Sequence, residues 1–159
     1  MKIVFLVNSL QNQRCIKRIK GFVAHGCSVE VYAYSRLKDN YSIFDFSVNV
    51  LGTMPNEMSY AKRVPILIKD IRNVVKGEKR QDVIYYLFGL DLAMVFRMVD
   101  KKDKFVYEES DLVHTYLENV VLKNLLEVID RRIIRHSART VFTSEGFARY
   151  HFGEEKLAN

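Results

Sequence analysis

Lys104–Leu112 reads KFVYEESDL, in which Phe105, Val106 and Tyr107 run straight into Glu108, Glu109, Ser110 and Asp111. An apolar strand ending in carboxylates marks where a ligand would meet an α/β fold. Open sheets of that class bind ligands in the crevice outside the carboxyl ends of their strands. Acids at such an edge accept hydrogen bonds from hydroxyls, hold a cation, or start the next helix.

Working outward, the same alternation recurs. Val83–Phe88 is a strand bounded by Asp82 and Gly89, and Leu90–Val99 is apolar on almost every side, which predicts a buried helix. Before it, Val64, Leu67, Ile68, Ile71, Val74 and Val75 share one helical face, with Pro65 in the first turn or kinking the helix. Ile3–Val7 is a continuous apolar run, as in a strand buried on both faces. The polar stretch Asn8–Gln13 follows, and then Ile16, Ile19, Phe22 and Val23 at helical spacing, closed by Gly26. Ser28–Tyr34 and Val48–Leu51 are the second and third strands. On the far side, Leu117–Ile134 is a helix whose end carries Arg131, Arg132, Arg135 and His136, suited to the negative end of its dipole. Thr140–Thr143 is a strand, and Ser144 caps a short helix that begins at Glu145.

Strands and helices in alternation predict a doubly wound, mostly parallel Rossmann-like sheet in a three-layer α/β/α arrangement, with strand one central in the order 3-2-1-4-5-6. Residues 1–152 form this domain, and 153–159 read as the start of a polar connection to a further domain. The chain has 159 residues, 48% of them hydrophobic and 28% charged, which is a soluble globular composition. Cys15 and Cys27 form no CxxC, consistent with reduced thiols in the cytoplasm. The first apolar run is too short to span a membrane. A formal charge of +6 permits an anionic partner without requiring one.

Several chemistries lack their signatures. The turn after the first strand, NSLQNQR, has no glycine for a dinucleotide pyrophosphate, and no GxxxxGK[ST] loop occurs. No GxSxG elbow is present, and His25, His114, His136 and His151 are scattered without HExxH spacing, so no metal site is expected. RNP, KH and zinc-finger patterns are absent, which argues against nucleic acid. What remains is a polar edge: Asn8 and Ser9 after strand one, Gly89 after strand four, Glu108, Ser110 and Asp111 after strand five, and Ser144 and Glu145 after strand six. These short donors and acceptors suit a polyhydroxylated ligand. The competing reading makes Asn8, Asp111 and Ser144 helix caps and Glu108–Glu109 a solvated turn.

YEESDL and VFTSEGF resemble segments of family 4 glycosyltransferases with the GT-B fold. Tyr107, Glu108, Asp111 and Leu112 match a Y-E/D-x-x-D-L stretch after the fifth strand. Thr143, Ser144, Glu145 and Gly146 match a TSEG-like segment after the sixth. The resemblance implies the acceptor-binding N-terminal domain of a retaining enzyme that moves a sugar from a nucleotide-sugar to a glycan or lipid-linked hydroxyl. It implies that Glu108 and Asp111 grip acceptor hydroxyls and that the nucleotide-sugar is held by a C-terminal donor domain, with no cofactor in this chain. Where many relatives have a Gly-rich first loop and a His before the motif Asp, this chain has neither; Ser110 takes the His position. The family's Glu-x7-Glu donor pattern is also absent.

The stretch Tyr60–Arg80 is basic, with Lys69, Arg72 and Lys76 at its centre and Lys79 and Arg80 at its end, and the first helix adds Arg14, Lys17 and Arg18. Since relatives act on lipid-linked acceptors, these residues are expected to offer a face to an anionic membrane, at the inner membrane surface. The alternative function is a non-enzymatic Rossmann-like module that binds an anionic partner through those helices.

Overall fold

A computed structural model describes residues 1–36, 44–55, 57–78 and 82–153. Six strands, β1 (Lys2–Val7), β2 (Ser28–Ser35), β3 (Val48–Thr53), β4 (Val83–Phe88), β5 (Phe105–Glu109) and β6 (Arg139–Phe142), form one parallel sheet in the order β3-β2-β1-β4-β5-β6. This is the expected doubly wound order with β1 inside. The sheet grows outward in opposite directions from β1 and β4, so a crevice opens where their carboxyl ends diverge. The five helices are α1 (Gln13–Ala24), α2 (Tyr60–Gly77), α3 (Leu90–Val99), α4 (Val120–His136) and α5 (Glu145–Phe152), with a 3-10 turn at Val113–Tyr116.

The apolar run of β1 serves two cores at once, because successive side chains point to opposite faces of a strand. Ile3, Phe5 and Val7 pack with Cys15, Ile16 and Ile19 of α1, while Val4 and Leu6 pack with Leu67 and Ile71 of α2 and with α3. Aromatic rings thicken both layers: Phe5 lies 5.0 Å from Tyr86 on one side, and Tyr85 lies 4.7 Å from Phe96 on the other. α1 ends at a reversed turn in which the Cys27 amide donates to Phe22 O at 3.1 Å and that of Gly26 to Val23 O at 2.9 Å. Gly26 supplies the φ of +73° that this motif needs.

Several boundaries differ from expectation by a few residues, and three of these differences bear on the site. β5 runs on through Glu109 instead of stopping at Tyr107, since Glu108 stays in register with Phe88 and Glu109 with Phe142. The pair is therefore no solvated turn. α4 starts at Val120, not Leu117, because Asn119 Oδ1 accepts from the Val121 and Leu122 amides and fixes the first turn there. α2 begins at Tyr60, ahead of its apolar stripe, and this puts Pro65 beyond the first turn.

The two basic groups occupy opposite layers. α1 and α2 pack on different faces of the sheet, so Arg14 and Lys17 share no plane with Lys69, Arg72 and Lys76. Arg18 is drawn inward by an ion pair with Glu108. The single basic face expected from sequence is thereby corrected to two separate ones. Lys79, Arg80 and residues 154–159 of the expected connection lie outside the described residues. Among the described residues, no helix is long and apolar enough to cross a membrane.

Candidate functional site

The crevice between the ends of β1 and β4 is a cleft of about 750 Å³. Asn8 and Ser9 enter it directly after β1, and Gly89 and Asp91 directly after β4. Asn8 Nδ2 donates to both Asp91 carboxylate oxygens at 2.8 Å, and Asp91 Oδ1 also accepts from the Leu92 amide at 2.9 Å. Burial raises the Asp91 carboxyl above its ordinary range, while the Asn8 and Leu92 bonds and the charge of Arg63 pull the other way. Gly89 takes φ +92°, and a Cβ there would stand 3.3 Å from Asp91 Oδ1, so both backbone and space favour glycine. The opposite wall is Ser110, Asp111 and Val113, which follow β5. Met94, Leu117 and Leu122 give the cleft an apolar side, and Arg36 and Arg63 bring positive charge to it.

Five of the eight sequence-predicted residues meet here: Asn8, Ser9, Gly89, Ser110 and Asp111. Asp111 is exposed, whereas Asn8 is committed to Asp91 and Ser9 Oγ accepts from the Gln11 amide at 3.2 Å. Ser144 and Glu145 stand outside the lining. Ser144 Oγ caps α5 through the Phe147 amide at 3.4 Å, and Glu145 pairs with Arg149 one turn on, at 2.7 Å.

Glu108 is the main correction. Its side chain is fully buried on the α1 side of the sheet, where Oε2 accepts from Tyr86 OH at 2.5 Å and from Arg18 Nε at 3.0 Å. It does not line the cleft, since its carboxylate is taken up by Tyr86 and Arg18. Sequence reasoning missed Asp91, Arg36 and Arg63. A lone acid in the first turn of an apolar helix was the available signal for Asp91. Arg36 directly follows β2, and Arg63 had been counted with the basic helix.

A second polar group lies behind the cleft wall, on the α4 side of β5. Glu109, Asp130 and His151 bring one ligating atom each within 4.8 Å of the others. His151 Nε2 is 3.0 Å from Glu109 Oε1 and 3.8 Å from Asp130 Oδ2, and Tyr107 OH donates to Asp130 Oδ1 at 3.0 Å. His114 joins from the 3-10 turn, with Nδ1 3.7 Å from Asp130 Oδ2. Burial raises both carboxyls, and each further responds to the other's proximity; burial lowers both imidazoles. The histidines that are scattered in the sequence thus include two that converge beside buried carboxyls. Sequence spacing held no signal for it, as four separate elements supply the residues.

Compared with known protein families and with curated proteins, the chain matches none.

Proposed function

We propose that the β1–β4 cleft holds the acceptor of a sugar transfer, a glycan or the sugar head of a glycolipid. The observation that carries this reading is the make-up of the switch-point crevice: an exposed Asp111 and Ser110 on one wall, the Asn8–Asp91 pair on the other, and an apolar flank. Sugars present hydroxyls around a ring with apolar C–H faces, and such a lining offers partners to both. The cleft also falls in the size range of ligand sites, roughly 300–1,000 Å³.

In this reading Ser110 and Asp111 receive acceptor hydroxyls, and Asn8 holds Asp91 in place. Glu108 is a framework residue and leaves the acceptor role. The nucleotide-sugar is held by a second domain, since the turn after β1 lacks the glycines that let backbone approach a pyrophosphate. Transfer is of the retaining kind, and this domain contributes orientation of the reacting hydroxyl more than proton transfer. The anion-binding alternative gains nothing from the split of the basic residues over two layers.

Saturation-transfer NMR with mono- and disaccharides, glycolipid head groups and nucleotide-sugars tests the reading. The expected result is transfer to saccharide ring protons that weakens at least fivefold in Asp111→Ala. A nucleotide-sugar that binds more tightly than every saccharide, unaffected by Asp111→Ala, would overturn it.

A further inference from the structure

The buried group at Glu109, Asp130, His114 and His151 has a composition that hydrogen bonding alone leaves incomplete. All four side chains are at most 2% exposed. His114 has no hydrogen-bond partner at either ring nitrogen, and neither does Asp130 Oδ2 or His151 Nδ1. Buried polar atoms are nearly always partnered, and each orphan costs the desolvation of that atom. His114 is fully buried yet directs Nδ1 at the Asp130 carboxylate rather than at solvent. Two carboxyls enclosed together must share a proton or meet positive charge, and no Lys or Arg forms an ion pair with either among the described residues.

We propose that Glu109, Asp130 and His151 bind a divalent transition-metal ion of the zinc class, with the buried His114 imidazole beside Asp130 Oδ2. Mixed imidazole and carboxylate ligands suit zinc and its neighbours better than magnesium or calcium, which take oxygen alone. Bonds of about 2.0–2.1 Å in a tetrahedron place ligand atoms about 3.4 Å apart. The separations of 3.0 and 3.8 Å from His151 Nε2 to Glu109 Oε1 and Asp130 Oδ2 lie on both sides of that value. One ion satisfies the orphaned Asp130 Oδ2 and neutralises both carboxylates. His114 Nδ1, 3.7 Å from Asp130 Oδ2, stands next to the fourth position of that tetrahedron, and the enclosure of the group makes the site a structural one.

The placement gives the ion a task. Glu109 ends β5 and His114 lies in the 3-10 turn, so the ligand and the imidazole beside the site bracket Ser110–Val113, the segment that forms one wall of the cleft. Asp130 and His151 anchor the same ion to α4 and α5. The ion ties that wall to α4, whose Leu122 also lines the cleft, and to α5, which does not line it. This assignment stands independently of which ligand the cleft takes.

The test uses the described chain, stripped with a chelator and titrated with Zn²⁺ by calorimetry, with Co²⁺ as a spectroscopic probe. One equivalent of Zn²⁺ is expected to bind and to raise Tm, and Co²⁺ should give the intense visible bands of a four-coordinate site. Loss of groups that only support a ligand costs about 10–100-fold in affinity, so His151→Ala should weaken Zn²⁺ binding by about 100-fold or more. His114→Phe should weaken it and shift the Co²⁺ bands. His25→Gln and His136→Gln, at exposed positions, should leave both readouts unchanged. If His151→Ala does not fold, the Co²⁺ spectrum of the unaltered chain still decides. Absence of stoichiometric binding, the weak bands of a six-coordinate surface complex, or binding lost with His25 or His136 instead would overturn the proposal.

Discussion

Asn8 Nδ2 donates to both oxygens of the Asp91 carboxylate at 2.8 Å, closing the gap between the ends of β1 and β4. Without this amide, the half-buried Asp91 carboxylate keeps the Leu92 amide at 2.9 Å. Asn8→Ala should therefore destabilise the fold by about 1–3 kcal/mol, the cost of a buried charged acceptor that loses its partner.

The same pair sets a pH dependence. Burial raises the Asp91 pKa in the folded chain, so the folded state holds a proton that the unfolded state has already released. Its contribution to stability is fully present below the unfolded value of about 3.9 and is lost as pH rises through the folded value. Removing the Asn8 amide, which opposes the rise, should widen that window upward. Urea unfolding between pH 4 and pH 8, set by about these limits, should show a steeper loss for Asn8→Ala than for the unaltered chain. Parallel curves would mean that Asp91 titrates alike in both proteins.

Glu108 and Asp111 should part company when each is replaced by Ala. Glu108 is buried with Tyr86 and Arg18, and its loss should cost about 1–3 kcal/mol. Arg18 is 40% exposed and can return to water, which keeps the figure below that of an enclosed ion pair. Asp111→Ala should change stability by less than about 0.5 kcal/mol, as is usual for an exposed residue without structural partners. Equilibrium unfolding in urea measures both; equal losses would contradict the division between framework and cleft.

The two thiols should also separate. Cys15 is buried beside the cleft, and burial, with the Glu108 charge behind it, pushes its pKa up to about 12. The thiolate is the reactive form, so a disulfide reagent at about pH 8 should modify the half-buried Cys27 well before Cys15. Cys15 should react at a comparable rate only after unfolding. Rapid labelling of both thiols in the native chain would show that α1 packs more loosely than described.

Much of the fold was legible because its signals are local. Continuous apolar strands, Gly26 after α1 and the glycine between Phe88 and Leu90 each act over a few residues, and the strand order follows from right-handed crossovers. The cleft was legible at the level of strand ends, which is why Asn8, Ser9, Gly89, Ser110 and Asp111 could be found together. Side-chain direction was the weak point. Glu108 and Glu109 are adjacent in sequence, but alternation sends one to Arg18 beneath α1 and the other to His151 near α4. A strand ending at Tyr107 leaves neither destination legible. Asp130 and His151 depend on how α4 and α5 pack over β5, a relation that no short spacing encodes.

The acceptor reading is tested most directly by mapping saccharide binding onto assigned backbone amides. A titration of the isotopically labelled chain with acceptor saccharides should shift the amide resonances of Asn8, Ser9, Gly89, Ser110 and Asp111 together, with one common dissociation constant. Shifts confined to residues away from the β1–β4 crevice, or none with any saccharide up to millimolar concentration, would contradict it.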